Sequence, residues 1–163
     1  MVVSPADLPA IREQLKGKTV VFTCGTFDLM HPGHVDFLEW CQQQGDILVV
    51  EVKPDHAVQS KASWRPIQNQ TDRVRMVAAL RTVDYAVARH SRSADSQITR
   101  TSTAELLRPD VLAVGHDWAK TEIDHWISQL PNVKVVVAPP RDPGRSTTSL
   151  INTIWDKRAE TAA

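Results

Sequence analysis

The run from Val20 to Leu38, VVFTCGTFDLMHPGHVDFL, constrains this chain more than any other stretch. It opens on Thr19-Val20-Val21-Phe22, whose β-branched and aromatic side chains favour a strand. It closes on Val35, Leu38 and Cys41 at helical spacing. Between them lie Gly25 and the tetrapeptide His31-Pro32-Gly33-His34. A strand that hands over to a helix aims backbone N–H groups and the positive end of a helix dipole at one point, which suits a phosphate. Pro32 presets one φ angle and Gly33 lacks a Cβ, so the turn is able to pass close to a ligand. The two imidazoles add donors. Other phosphate signatures are missing: there is no GxxxxGK[ST], and the six glycines never form GxGxxG. A metal reading of the histidines is weaker, since two imidazoles are too few for a closed zinc site and no Cys or His pair completes one.

Taken in order, Ser4 to Lys16 reads as a short helix, with Ser4 as cap, an early proline and Gly17 as its end. After the first strand and its turn, a helix runs from about His34 to Gln44. Asp46 to Val52 is a second strand, and its near-continuous apolar run predicts a parallel strand covered on both faces. Lys53 to Gln70 shows no periodicity and reads as a long loop carrying Lys53, Lys61 and Arg65. A helix over Asp72 to Leu80 follows, with Arg73 in its first turn, where the dipole favours acids. Such an arginine either pairs with a carboxylate or points at an anion. Val83 to Ala88 is the third strand, and Arg89 to Thr103 is a polar stretch, either lid or plain loop. Ala104 to Leu107 ends a helix, and Val111 to Val114 is the fourth strand, leading into Gly115-His116-Asp117-Trp118. A helix from Glu122 to Leu130 and a fifth strand from Val133 to Ala138 precede Arg145-Ser146-Thr147-Thr148, which marks a helix start. The tail 156–163 is expected to fray. Strands alternating with helices give an α/β class with a parallel sheet and right-handed crossovers, in one domain spanning 1–163.

The 19 basic and 19 acidic residues cancel, which gives no overall field to draw in nucleic acid or an anionic membrane. No apolar run approaches the ~20 residues of a membrane span, and the first 18 residues lack a secretory h-region. Cys24 and Cys41 show no CxxC spacing and read as reduced packing thiols of a cytoplasmic protein.

Gly25-Thr26-Phe27-Asp28 followed by His31-Pro32-Gly33-His34 resembles the HxGH signature of the cytidylyltransferase-like nucleotidyltransferases. The resemblance extends from about Thr19 to Ile154. Lys61 with Arg65-Pro66-Ile67 resembles the family's K…RP segment, Gly115 to Trp118 its segment after the fourth strand, and Ser146-Thr147-Thr148 its phosphate-facing helix start. It implies a Rossmann-like, doubly wound, five-stranded parallel sheet in the order 3-2-1-4-5, which brings His31, His34 and Asp117 to one crevice. It implies nucleotidyl transfer, in which an acceptor phosphate attacks the α-phosphorus of a nucleoside triphosphate and pyrophosphate leaves. An ionised phosphate needs no strong base, so catalysis rests on positioning and charge neutralisation.

The residues implied as catalytic are His31, His34 and Lys61. Those implied to bind nucleotide are Thr26, Phe27, Gly33, Arg65, Asp117, Arg145, Ser146, Thr147 and Thr148. Lys53, Arg73 and Trp118 are candidates for the acceptor side. No protein ligand for a metal is assigned. Mg²⁺ accompanies the triphosphate, held by phosphate oxygens and water. Two branches fit: glycerol-3-phosphate cytidylyltransferases, on Gly25 to Leu29 and Gly115 to Trp118, and heptose-1-phosphate adenylyltransferases, on Leu107 to Leu112 and Arg145 to Ile151. Val52-Lys53-Pro54-Asp55 departs from the Asn-Asp pair usual in the heptose branch. The expected acceptor is a sugar or polyol phosphate, with ATP ahead of CTP. Flavin-nucleotide synthesis and a non-catalytic nucleotide-binding module are alternatives. A homodimer is expected, with no nucleic-acid or membrane partner.

Overall fold

The computed structural model describes the chain apart from residues 61, 90–97, 131, 141, 143 and 162–163, and apart from the side chains of 98–102, 122, 125, 126 and 129. Six parallel strands form one sheet: β1 (Val2–Val3), β2 (Val20–Gly25), β3 (Ile47–Val52), β4 (Tyr85–Ala88), β5 (Val111–Val114) and β6 (Lys134–Val137). Their order is β1-β4-β3-β2-β5-β6. The five expected strands keep the order 3-2-1-4-5. The correction is a sixth, β1, which extends the β4 edge through Val2 opposite Ala86 and Val3 opposite Val87. Two residues are too short to show a period of two, so the sequence hides this strand.

Alternation along the strands divides the core. Val21, Leu48, Val50, Val52 and Ala86 face Leu38 and Cys41 of α2 (Pro32–Gln42) and Val74 and Val77 of α4 (Gln70–Ala78). Val20, Phe22, Cys24, Val49, Val87, Leu112 and Val114 face Leu8 of α1 (Leu8–Gln14) and Ala104 and Leu107 of α5 (Ile98–Leu107). Burial on both faces explains the unbroken apolar run of β3. Burial also pushes the Cys41 thiol up to about 12, in keeping with a packing role.

Aspartates fix the register at the amino ends. Asp46, Asp84 and Asp110 each stand directly before a strand and accept a backbone N–H, from Thr19 at 2.8 Å, Leu48 at 2.8 Å and Val20 at 2.7 Å respectively. Each bond satisfies a donor that the ladder would otherwise leave open.

Four expected boundaries change. The Ser4–Lys16 helix is a 3-10 turn, Pro5–Asp7, with a Ser4 capping box, followed by α1. The loop expected over Lys53–Gln70 contains a short helix, α3 (Asp55–Gln59). Its five residues are too few to show helical periodicity. Helix α5 starts at Ile98, inside the stretch taken as polar loop up to Thr103. After α6 (Lys120–Gln129), the last helix, α7 (Thr147–Thr161), runs through the tail expected to fray from Asp156. Leu150, Ile154 and Trp155 lie exposed along α7.

One feature of the sheet is not apolar. Glu51, in the middle of β3, is fully buried and ion-paired to Arg89, which follows β4 and is itself buried. Glu51 lies opposite Cys24 in the ladder, and the Glu51 carboxylate and the nearby Cys24 push the Arg89 guanidinium pKa up against the opposing cost of its burial. Removing one partner strands a charge in the core. Arg89→Met is expected to cost about 3–5 kcal/mol in urea unfolding, and the double change Glu51→Met/Arg89→Met to recover stability to within about 1 kcal/mol of the parent or above it. A single variant as stable as the double would contradict the pairing.

Candidate active site

The carboxyl ends of β2, β3 and β5 and the amino ends of α2 and α7 surround a cleft of about 480 Å³. His31 caps α2 in extended backbone, and Pro32 occupies the first helical turn, where its missing N–H costs nothing. The imidazoles of His31 and His34 stack with centroids 3.7 Å apart and planes 23° apart. The Phe27 ring packs edge-on against His34 at 5.5 Å. Both histidines line the cleft, and so do Ser146, Thr147 and Thr148.

Gly33 lets the two helix starts meet. A Cβ there would lie 2.7 Å from the Arg145 carbonyl oxygen and 3.2 Å from His31 Cε1. No side chain fits at that approach. At the same contact, Arg145 pairs with Asp36 of α2 at 2.8 Å and stands 3.5 Å from Asp142.

The hydroxyls at the start of α7 divide their work. Ser146 Oγ accepts the Ser149 N–H at 3.1 Å, a helix cap, and Thr147 Oγ1 donates to the Asp28 carbonyl at 2.9 Å. Thr148 is exposed. What this segment offers an anion is therefore its helix dipole and backbone N–H groups more than the first two hydroxyls.

Of the remaining expected residues, Thr26, Phe27, Lys53, Arg65, Asp117 and Trp118 also line the cleft. Lys61 lies outside the described residues. Arg73 is a correction. It is fully buried and does not line the cleft. Its guanidinium donates to the carbonyls of Gln68 at 2.9 Å, Lys53 at 2.7 Å and Thr26 at 2.5 Å, and to Asp55 at 2.6 Å. Of the two alternatives its sequence position allowed, pairing with a carboxylate holds. Arg73 thus fixes the backbone of two cleft residues from below.

Sequence reasoning missed the wall formed by Asp36, Phe37 and Trp40 of α2, with Phe37 and Trp40 rings stacked at 6.3 Å. The spacing of Phe37 and Trp40 beside the Val35-Leu38-Cys41 stripe was the available signal. His116, Pro139, Pro140 and Asp142 also join the lining, and Cys24, though only 5% exposed, reaches its floor. Among the described residues, no three His, Cys, Asp or Glu side chains gather as a metal would require.

A cytidylyltransferase-like family model matches residues 22–157, the stretch that carries the histidine turn and the start of α7. The chain belongs to the cytidylyltransferase-like nucleotidyltransferases. Its relatives include the bifunctional protein HldE of Campylobacter fetus subsp. fetus, 33% identical over 88% of this chain, and that of Azorhizobium caulinodans, 39% identical over 92%. The chain spans only 30% and 31% of the length of these two proteins. Among solved structures, the lipopolysaccharide core biosynthesis protein of Thermoplasma volcanium superposes with a TM-score of 0.63 at 28% identity, over 77% of this chain and all of the other. Pantoate-β-alanine ligase of Francisella tularensis shares the fold, with a TM-score of 0.66 at 16% identity, over 93% of this chain and 72% of the ligase.

Gly33→Ala tests the close approach of the two helix starts. The added methyl should push the Arg145 backbone away and weaken nucleotide binding by about 10-fold or more, with a stability loss of about 1–3 kcal/mol. Calorimetric titration with ATP and CTP, together with thermal unfolding, reads both. Unchanged affinity would mean that the contact does not shape the site.

Proposed function

We propose that the chain transfers a nucleotidyl group from a nucleoside triphosphate to a sugar or polyol phosphate and releases pyrophosphate, with ATP preferred to CTP. The observation that carries this reading is the stacked His31–His34 pair lining one cleft together with the start of α7. Likeness to the HldE proteins supports adenylyl transfer, and the resemblance of Arg145 to Ile151 to the heptose-1-phosphate adenylyltransferases points the same way.

His34 and His31 hydrogen-bond the α- and β-phosphates and stabilise the crowded phosphorus as the acceptor oxygen enters in line. The start of α7 and Arg145 take the terminal phosphates. Arg145 exchanges its carboxylate partners Asp36 and Asp142 for phosphate oxygens when nucleotide binds. Arg65 and Lys61 neutralise charge from the segment after β3. Lys53, at the carboxyl end of β3, meets the acceptor phosphate, with Trp118 across the cleft. Asp117, Thr26 and Phe27 complete the nucleotide's surroundings. Mg²⁺ would accompany the triphosphate, held by phosphate oxygens and water, and would supply positive charge against the pyrophosphate.

A cytoplasmic protein fits the free, buried thiols of Cys24 and Cys41. No helix among the described residues is long and apolar enough to cross a membrane. A homodimer is proposed as the working form; Leu150, Ile154 and Trp155 on α7 offer apolar surface for it.

Pyrophosphate release with ATP and with CTP, against glycerol 3-phosphate and a panel of sugar 1-phosphates, tests the reading. ATP-dependent release on a sugar phosphate is expected. Release with CTP on glycerol 3-phosphate would transfer the assignment to the cytidylyl branch, and release with neither on any acceptor would favour a binding module. His34→Ala should lower kcat by about 10²–10³-fold, equivalent to ~2.7–4 kcal/mol, and an unchanged turnover would remove its assigned contact.

A further inference from the structure

Asp28 is fully buried, lies directly behind the phosphate turn, and has no part in the chemistry proposed above. Three cleft-forming segments converge on it. Its carboxylate accepts the backbone N–H of Gln68 at 3.0 Å and that of Ile67 at 3.0 Å, and Oδ2 stands 3.5 Å from Arg65 Nε. Its carbonyl accepts the Thr147 hydroxyl at the start of α7. The next residue, Leu29, donates its N–H to Gln68 Oε1 at 3.0 Å. Arg73 holds the Gln68 carbonyl from the other side. The Gln68 backbone is thus clamped between two buried side chains of opposite charge.

The backbone around Asp28 is unusual. Phe27 and Leu29 both adopt left-handed conformations, with φ of 53° and 46°. Bulky side chains seldom adopt that region, and structure elsewhere must compensate. Turning the chain this way buries the carboxylate and brings the Phe27 ring against His34. A neutral acceptor would bond the two N–H groups as well. Only a carboxylate adds attraction for the Arg65 guanidinium, whose side chain is 22% exposed and lines the cleft.

We propose that the Asp28 carboxylate is a positioning group: it sets Arg65 and the segment 65–68 against the histidine pair, and acts on nucleotide binding through Arg65. The proposal rests on the nucleotidyl-transfer reading for its kinetic consequence, while its structural consequence stands alone.

Asp28→Asn, Arg65→Met and the double variant decide it, using hydrogen exchange of segments 65–70 and 144–150 alongside kcat and KM for ATP and CTP. In Asp28→Asn, exchange in segment 65–70 is expected to quicken by about 10-fold or more, because the bonds to Ile67 and Gln68 lose their charge assistance, while segment 144–150, tied to the Asp28 main-chain carbonyl, is expected to exchange as in the parent. KM for the preferred nucleotide is expected to rise by about 10-fold, with kcat falling less. In the Arg65→Met background the same change should move KM by less than about 3-fold, because interacting residues are not additive. An unchanged exchange pattern would overturn the positioning claim, and fully additive KM effects would overturn action through Arg65. Should Asp28→Asn fail to fold, Asp28→Glu, which keeps the charge and shifts it by one methylene, is read in the same way. If the parent turns over neither nucleotide, the transfer reading fails, and hydrogen exchange still decides whether the Asp28 carboxylate holds segment 65–70.

Discussion

Two helices, α2 and α7, begin within van der Waals reach of one another over the carboxyl end of β2, and the rest of the site follows from that contact. The contact exists because Gly33 presents no Cβ to the Arg145 carbonyl. Two helix amino ends pointed into one space concentrate partial positive charge and unsatisfied N–H groups there. The imidazoles of His31 and His34 and the Ser-Thr-Thr segment all line that space. A polyphosphate is the ligand such an arrangement suits, because its negative charge is spread along a chain able to touch both helices.

What holds this geometry lies beneath it. Arg73 and Asp28 are buried side chains of opposite charge, and between them they bond the backbone of the turn, the end of β3 and the segment before α4. Gln70 adds a strap, donating through one amide nitrogen to the carbonyls of Val52 and Arg89 at 2.9 Å each. Buried polar groups this well satisfied fix a unique arrangement. The cleft surface is less committed: among the described residues, Arg145 is held by two exposed carboxylates, a kind of pairing worth little in water. The division is between a rigid floor and an exchangeable rim.

Much of this was legible in the chain. The passage from Val20-Val21-Phe22 to the helical stripe located β2, the turn and α2, and the apolar run after Asp46 located a strand covered on both faces. The histidine turn and the Ser-Thr-Thr segment were recognisable by type. Other features depend on tertiary contact and leave little local trace. Val2–Val3 is a strand only because Tyr85–Ala88 offers an open edge. Arg73 looked available to an anion because its buried partners, Thr26, Lys53, Gln68 and Asp55, are scattered over the chain. The Ser146 hydroxyl read as a cap by its residue type and as a phosphate ligand by resemblance; the fold shows it capping, which leaves its O–H as a donor. Phe37 and Trp40 resembled ordinary helix surface until the cleft wall was built around them.

The central claim is where the triphosphate sits, and a crystal structure with a non-hydrolysable α,β-methylene analogue of ATP tests it most directly. The account predicts α-phosphate oxygens at about 2.7–3.2 Å from an imidazole nitrogen of His34, with the terminal phosphates at the backbone N–H groups that open α7. A polyphosphate lying along Phe37 and Trp40, out of reach of both imidazoles, would contradict it.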